Sequence, residues 1–441
     1  VSTHPPRLAC LDLDTFFVSV ERLLDPSLVG KEVVVGGTGW RGVVTSCSYE
    51  VRARGVRSGM PLAEARRLAP DAVYLGGTHG VYSDHSRRVR EVLDDYTPDV
   101  QAASIDEFFL DFRGCERLYA RAGESPDATI TRVVKELRVA VWERTGLPAS
   151  VGLASTRPMA KMASGLAKPA GVLVVPAGGE AAFVRPLPVR KWPGIGPRAE
   201  ERLVSAGLTT LGDLLDLSDT HPHHRAGEAV RQGTFGGPRA LGADRPAFHE
   251  HDRPETADDG REHTLSNERT FFAALDDRER VREVLRGLVE RVCHRARRRG
   301  VTARVVQLKV RTTDFRTITR SRTLRGPTNH EPAVLQVADE LLVAGWSGDL
   351  PVRLLGVGLS GLDRGGAQLT LPLGPRTNGA EGPAVGAAID RVRERFGYDA
   401  LRFGVARHRS ATGAGTWRSG EVTDAPPDRT RADGPPRRRG A

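Results

Sequence analysis

The segment SIDEFFLDF, residues 104–112, sets the adjacent carboxylates Asp106 and Glu107 in an otherwise apolar run that reads as a β-strand, with a third acid, Asp111, near its end. Two like charges about 4 Å apart repel by roughly 4 kcal/mol at an effective dielectric near 20, so a half-buried acid cluster takes up protons or a cation. Neighbouring side chains on a regular strand point to opposite faces. Asp106 and Glu107 can therefore face one ion only if a turn interrupts them, as a hairpin at SIDE provides. Upstream, RLACLDLD alternates as a strand and ends in DLD, which places Asp12 beside that hairpin in a βαββαβ arrangement. Hard oxygen donors without a partnering His or Cys suit Mg2+, and two such ions can activate an attacking hydroxyl while clamping the phosphates of a leaving group. Pairing of the acids with surface arginines is the competing reading, and the acids alone do not exclude it.

The rest of the chain supplies the elements such an arrangement needs. TFFVSVERLL repeats Phe16, Val20, Leu23 and Leu24 at helical spacing, with Asp14 or Thr15 as the cap. A helix near residues 130–144 and the strand ASVGLAS complete βαββαβ once residues 25–100 are set aside as an insertion. The same order returns later. REHTLSNERTF reads as a strand, residues 275–299 as a helix with Val281, Leu285, Leu288, Val292 and Ala296 on one face, ARVVQLKVRT and FRTITRSRTLR as strands, residues 331–345 as a helix, and PVRLLGVGLS as a strand. The two copies share no sequence similarity, so the repetition is one of architecture. Between them lie a small helical region and the polar linker HEHDRPETADDGRE, and from Ala406 onward Gly, Pro, Arg and Asp dominate as in a disordered basic tail.

A chain of 441 residues holds two to four domains. Its net charge of +10 favours a polyanionic partner. Only six of the 65 basic residues are Lys, so position carries more information than count. Cys10, Cys47, Cys115 and Cys293 are far apart and form no CxxC pair, which argues against zinc or a disulfide framework. No apolar run reaches membrane-spanning length and the N-terminus lacks a signal-peptide pattern, so a soluble, cytoplasmic protein is expected.

Four motifs, LDLDTFFVSVE, GVVTSCSYEVRARGVRSGMP, SIDEFFLDF and VGLASTRPMAKMASGLAKPAG, resemble in order and spacing the Y-family translesion DNA polymerases of the DNA polymerase IV type. The resemblance implies an α+β right-hand fold: a βαββαβ palm (1–36 and 76–177), small fingers (37–75), a helical thumb with a helix-hairpin-helix (178–246), a linker (247–261) and a βαββαβ little finger (262–365). A clamp-binding peptide and terminal helix (366–405) precede the basic tail (406–441). It implies template-directed addition of dNTPs to primer-template DNA by two-metal phosphoryl transfer, at low fidelity and without proofreading, by a monomer that docks on the sliding clamp.

By the same resemblance Asp12, Asp106 and Glu107 bind two Mg2+ ions, the carbonyl of Leu13 assists, and Glu107 is the active-site residue. Phe17 is the steric gate, its ring leaving no room for a ribose 2′-hydroxyl, whereas Phe16 is a core residue. Ser46, Tyr49, Arg52 and Lys168 contact the triphosphate; Arg offers a planar fork to phosphate oxygens and Tyr a neutral donor. In WPGIGPRAEERLVSAG the backbone of Gly194, Ile195 and Gly196 meets a DNA phosphate without side-chain obstruction. VVQLKVRT alternates so that Lys309 and Arg311 line a basic face, and Gln368, Leu369, Leu371 and Leu373 in AQLTLPL form the clamp peptide. Thr156, Arg157, Gly165 and Phe109 depart from the family pattern and bear on substrate handling rather than on the metal ligands. A clamp-docking DNA scaffold and a palm-type nucleotidyl cyclase are the rivals; intact acids oppose the first, and the DNA- and clamp-directed motifs oppose the second.

Overall fold

Residues 8–13, apolar except for Asp12, form the middle strand of a five-stranded sheet in the first of two compact units, which divide within residues 236–263. The computed structural model describes residues 5–37, 42–235, 264–363, 382–397 and 400–401. In the first unit the chain runs β1 (Leu8–Leu13), α1 (Phe16–Leu24), β2 (Val33–Gly36), β3 (Val44–Cys47), α2 (Tyr49–Ala53), α3 (Leu62–Leu68), β4 (Val73–Gly76), α4 (His79–Asp94), β5 (Asp99–Ala102) and β6 (Glu107–Asp111). It continues through α5 (Glu116–Tyr119), α6 (Pro126–Thr145), β7 (Ala149–Ala154), α7 (Arg157–Ala167), β8 (Val172–Val174), α8 (Glu180–Val184), α9 (Pro197–Ser205), α10 (Leu211–Leu215) and α11 (His224–Phe235). The main sheet has the order β5-β6-β1-β7-β8.

The two faces of β1 enter different cores. Ala9, Leu11 and Leu13 pack among residues of α1, α4 and α6, whereas Cys10 packs with Phe109 against Met159, Ala160 and Ala163 of α7. With a side-chain period of two, Asp12 shares the Cys10 face. α6 is held at both ends by its sequence: Ser125 Oγ accepts from Ala128 N–H at 3.2 Å, Pro126 opens the helix, and Gly146 closes it in the left-handed region. α7 lies on β7 because residue 152 is Gly; a Cβ there would stand 2.1 Å from the Ala160 carbonyl and 2.2 Å from Ser164 N.

A second sheet, β3-β2-β4, and α3 form the body of the insertion. β2 serves two cores, Val33 and Val35 facing the main one and Val34 the smaller one, so a boundary at residue 36 falls at the end of a shared strand. Neither expected cap of α1 is realised: Thr15 is left-handed (φ 44°) and makes no side-chain capping bond, while the carbonyl of Asp14 accepts from Ser19 Oγ at 2.7 Å.

The second unit runs β9 (Thr264–Leu275), α12 (Arg278–Arg298), β10 (Thr302–Thr312), β11 (Thr317–Thr328), α13 (Glu331–Gly345), β12 (Val352–Asp363) and α14 (Gly382–Phe396). Its βαββαβ succession follows the sequence reading, but α12 starts at Arg278 rather than 275, because Asp277 accepts from Glu279 N–H and caps it there while Leu275 still pairs with Val352. The four-stranded sheet has the order β11-β10-β12-β9, all antiparallel, and α12 and α13 bury Val281, Leu285, Leu288, Val334, Ala338 and Leu342 against it. α14 is tied to the unit by buried charge: Arg297 pairs with Asp390 and Glu331 at 2.6 Å each, and Arg393 with Glu290 at 3.0 Å. The linker, the clamp peptide and the basic tail lie outside the described residues. Among the described residues no helix is long and apolar enough to cross a membrane.

Candidate active site

The antiparallel register of β1 and β6 sets Asp12 opposite Glu107. Ala103 and Ser104 donate backbone N–H to the Glu107 carbonyl at 2.9 and 3.2 Å, so residues 103–106 form the turn that the sequence required. Leu13 N–H donates to the Asp106 carbonyl at 2.9 Å, bringing Asp106 against the end of β1, where Ser104 Oγ donates to its carboxylate at 2.5 Å. Three acids thus come from two adjacent strand ends, although a regular strand would have pointed two of them apart.

Cations already answer this charge. Lys161 Nζ donates to both oxygens of Glu107, at 2.7 and 2.5 Å, and Lys168 Nζ donates to Asp12 Oδ1 at 2.6 Å. Burial pushes the Asp12 carboxyl above its usual range; Lys168 opposes the rise, and Asp106 and Glu107 add to it. The Cys10 thiol beneath is pushed up by burial and then by Glu107 and Asp12, which leaves it a neutral packing group. Among the described residues no three His, Cys, Asp or Glu side chains are gathered so as to hold a metal ion between them. The donor set is nonetheless carboxylate and carbonyl oxygen throughout, and the buried charge draws cations, so these residues fit a hard divalent ion.

A cleft of about 120 Å³ opens beside these acids. Asp12, Leu13, Asp106 and Lys168 line it together with Phe17 of α1, Ser46 of β3 and Arg52 of α2. Residues assigned separately to metal, sugar and phosphate thereby share one wall. Phe16 also reaches the cleft but is 2% exposed and belongs to the core, as expected. Phe17 stacks on Tyr82 with ring centroids 4.3 Å apart, and the Tyr82 hydroxyl donates to Glu21, so the ring is braced from behind.

Tyr49 and Glu107 are not on the cleft wall. The Tyr49 hydroxyl donates to Asp14 Oδ1 at 3.1 Å, and burial followed by the Asp14 charge keeps it protonated by pushing its pKa up. Asp14 is only 1% exposed and also accepts from Ser150 Oγ, at 3.0 and 2.9 Å, and from Ala170 N–H at 2.7 Å. The two acids of DLD therefore differ: Asp12 faces the cleft, and Asp14 ties α2, β7 and the turn after Lys168 together. Sequence reasoning missed Asp14, Lys161 and Tyr82. A signal existed for Lys161, which lies on α7 seven residues before Lys168, the residue that follows the helix.

Elsewhere, Gly194 has φ 96°, and a Cβ at Gly194 or Gly196 would meet nothing within 4 Å, so this turn presents open backbone while Ile195 packs partly against the helical core. In the second unit Val306, Leu308 and Val310 are buried and Lys309 and Arg311 lie on the other face, as the alternation required. Lys309 is paired there with Glu268 at 2.8 Å, and Arg311 Nε donates to Thr317 Oγ1 at 2.8 Å. Two departures from the family pattern meet: the Arg157 guanidinium lies 4.2 Å from the Phe109 ring centroid and donates to Gln101. Thr156 donates to the Gly233 carbonyl, and Gly165 faces open space. Gln368, Leu369, Leu371 and Leu373 lie outside the described residues.

Residues 11–165 match the impB/mucB/samB family and residues 262–371 its C-terminal domain. DNA polymerase IV of Streptomyces coelicolor is 40% identical over 358 residues, spanning 81% of this chain and 71% of that protein. DNA polymerase IV of Dehalococcoides mccartyi strain 195 is 36% identical over 405 residues (90% and 97%), and that of Caulobacter vibrioides 38% over 402 (90% and 94%). Among solved structures, a Y-family DNA polymerase chimera of Dbh and Dpo4 superposes with a TM-score of 0.66 at 22% identity, covering 80% of this chain and 98% of its own. The insertion ternary complex of Dbh DNA polymerase gives 0.56 at the same identity and coverage. Fold and relatives together define a DNA-directed DNA polymerase, a nucleotidyltransferase with the right-hand architecture. The chain belongs to the impB/mucB/samB family as a Y-family polymerase of the DinB, DNA polymerase IV, type. Its activity is low-fidelity, template-directed translesion synthesis in DNA repair, by the two-metal chemistry general to this family of divalent-ion enzymes.

Proposed function

We propose that Asp12, Asp106 and Glu107, with the carbonyl of Leu13, hold two Mg2+ ions, and that the cleft beside them receives the incoming dNTP over a primer-template terminus. Bound there, the ions activate the primer hydroxyl and neutralise charge on the phosphates. The primer O3′ forms its bond to the α-phosphorus as the bond to the bridging oxygen breaks, and pyrophosphate leaves. Ser46, Tyr49, Arg52 and Lys168 hold the triphosphate. The hydroxyl of Tyr49 carries one proton, so a phosphate competes with Asp14 for it. Phe17, braced by Tyr82, occupies the space a 2′-hydroxyl needs.

The observation that carries this reading is the single cleft wall shared by Asp12, Leu13, Asp106, Phe17, Ser46, Arg52 and Lys168. The main sheet with α1, α4, α6 and α7 serves as palm, the β3-β2-β4 body as fingers, α8–α11 as thumb and the second unit as little finger. The open Gly194–Ile195–Gly196 turn and the Lys309 and Arg311 face contact the DNA backbone. Gln368, Leu369, Leu371 and Leu373 dock on the sliding clamp, and the enzyme acts as a monomer in the cytoplasm.

Primer extension with Mg2+ and dNTPs tests the reading. The wild type extends and Asp106→Ala does not; extension retained by Asp106→Ala overturns the ligand assignment. Phe17→Ala accepts ribonucleotides roughly 10- to 100-fold more readily relative to deoxynucleotides. Unchanged discrimination rejects the gate.

A further inference from the structure

The two carboxylates that face each other across β1 and β6 are each held by an ammonium group from one short stretch of chain. Lys161, on α7, reaches both oxygens of Glu107; Lys168, at the end of α7, reaches Asp12 Oδ1. The delivery is built into the fold, because Gly152 admits α7 to within backbone contact of β7. It is also directed at buried charge: the Glu107 side chain is 11% exposed and that of Asp12 23%. A carboxylate that already neutralises an ammonium at this distance cannot accept a divalent ion beside it without strong repulsion between the two cations.

Resting on the assignment of Asp12 and Glu107 as metal ligands, we propose that Lys161 and Lys168 are built-in counter-cations, so that metal uptake by this enzyme is an exchange in which the ammonium groups are displaced. The two lysines differ in what displacement offers them. Lys168 lines the cleft and on release meets the triphosphate, so nucleotide and metal favour each other's binding through it. Lys161 is 46% exposed and not on the cleft wall, and its release toward solvent is a cost that metal binding alone must meet. The arrangement stabilises the acid cluster in the metal-free enzyme and makes a fully charged site depend on the nucleotide being present.

The test titrates Mn2+ into chelator-stripped full-length enzyme without DNA or nucleotide, following free Mn2+ by electron paramagnetic resonance. Lys161→Met tightens Mn2+ binding about fivefold or more, Lys161→Arg returns it toward the wild-type value, and the rise in melting temperature on saturation with Mn2+ is larger in Lys161→Met than in the wild type. Lys161 is half exposed on a helix, where Met is well tolerated, so the variant folds. Unchanged or weaker Mn2+ binding by Lys161→Met overturns the proposal. So does a Lys161→Met effect that persists in a Glu107→Gln background, since the exchange requires that carboxylate. If Glu107→Gln and Asp12→Asn each leave Mn2+ binding as in the wild type, the ligand assignment itself has failed, and the exchange falls with it. Added dGTP tightens Mn2+ binding less in Lys168→Met than in the wild type; equal tightening removes Lys168 from the exchange.

Discussion

The main sheet of the first unit and the sheet of the second are built from the same βαββαβ succession and use charge in opposite ways. In the first, the strand from the start of the succession, β1, lies between β6 and β7, and carboxylates gather at its end. In the second, the corresponding strand, β9, is at the sheet edge, and β10 and β12 are the inner pair. The middle of that sheet is apolar toward the helices, and its charges, Lys309 and Arg311, stand on the open face. Strand order thus decides whether charge is concentrated at a buried crossing, where it can do chemistry, or spread on a solvated face, where it can follow a polyanion. Repetition of element order carries no repetition of site.

The largest separation of the two regions comes from Asp12→Asn. Folding raises the Asp12 pKa, so the group favours the fold while protonated and loses that contribution as pH rises through the raised value; at neutral pH its ionised form weakens the metal-free enzyme. Primer extension falls by at least about 10³-fold, while the melting temperature of the metal-free protein does not fall. A large loss of stability would mean that Asp12 is a structural ion-pair partner instead. A paired glycine substitution sharpens the contrast in packing. Gly152→Ala drives a Cβ into the α7 backbone and costs about 3 kcal/mol in denaturant unfolding. Gly358→Ala meets only side chains at 3.6 Å and beyond and costs less than about 1 kcal/mol. Equal costs would show that close approach of α7 to Gly152 is no more demanding than the strand-to-strand surroundings of Gly358.

A smaller effect separates binding from chemistry. Lys309→Ala with Arg311→Ala weakens DNA binding without changing its sequence preference and lowers the slope of log affinity against log salt by about 2, one for each lost phosphate contact. An unchanged slope returns both residues to the ion pair and hydrogen bond already seen with Glu268 and Thr317. The smallest effect is at α14. Burial raises the Asp390 pKa, but Arg297 and His294 outweigh it and hold it below its ordinary 3.8. The stabilisation is therefore complete above that value and is lost as pH falls beneath it. Hydrogen exchange in α14 should accelerate below about pH 4 before the sheet of the same unit opens.

Much of the fold was legible because periodicity follows from local geometry. Alternation in residues 8–13 and 302–312 and helical spacing in residues 278–298 need no distant partner to be read, whereas α6 begins at Pro126 rather than near residue 130. The sites of Asp12, Asp106, Phe17, Ser46, Arg52 and Lys168 were legible as motifs, and the cleft joins them. Asp14 and Lys161 were not. Their roles depend on atoms that arrive from far along the chain: Tyr49, Ser150 and Ala170 lie 35, 136 and 156 residues from Asp14, and Glu107 lies 54 from Lys161.

The sequence by itself determined that the acids, the Phe17 ring and the polar side chains of Ser46, Arg52 and Lys168 occur in a fixed order, and that two βαββαβ units bury separate apolar faces, because these are properties of neighbouring residues. Tertiary structure alone decided that β1 sits between β6 and β7, that α7 comes close enough over Gly152 to set two ammonium groups on Glu107 and Asp12, and that of two aspartates two residues apart one faces the cleft and the other is closed off. Strand order and burial are set by contacts across the whole unit, and it is burial that decides whether a charged side chain faces the cleft, pairs with a cation or ties elements together.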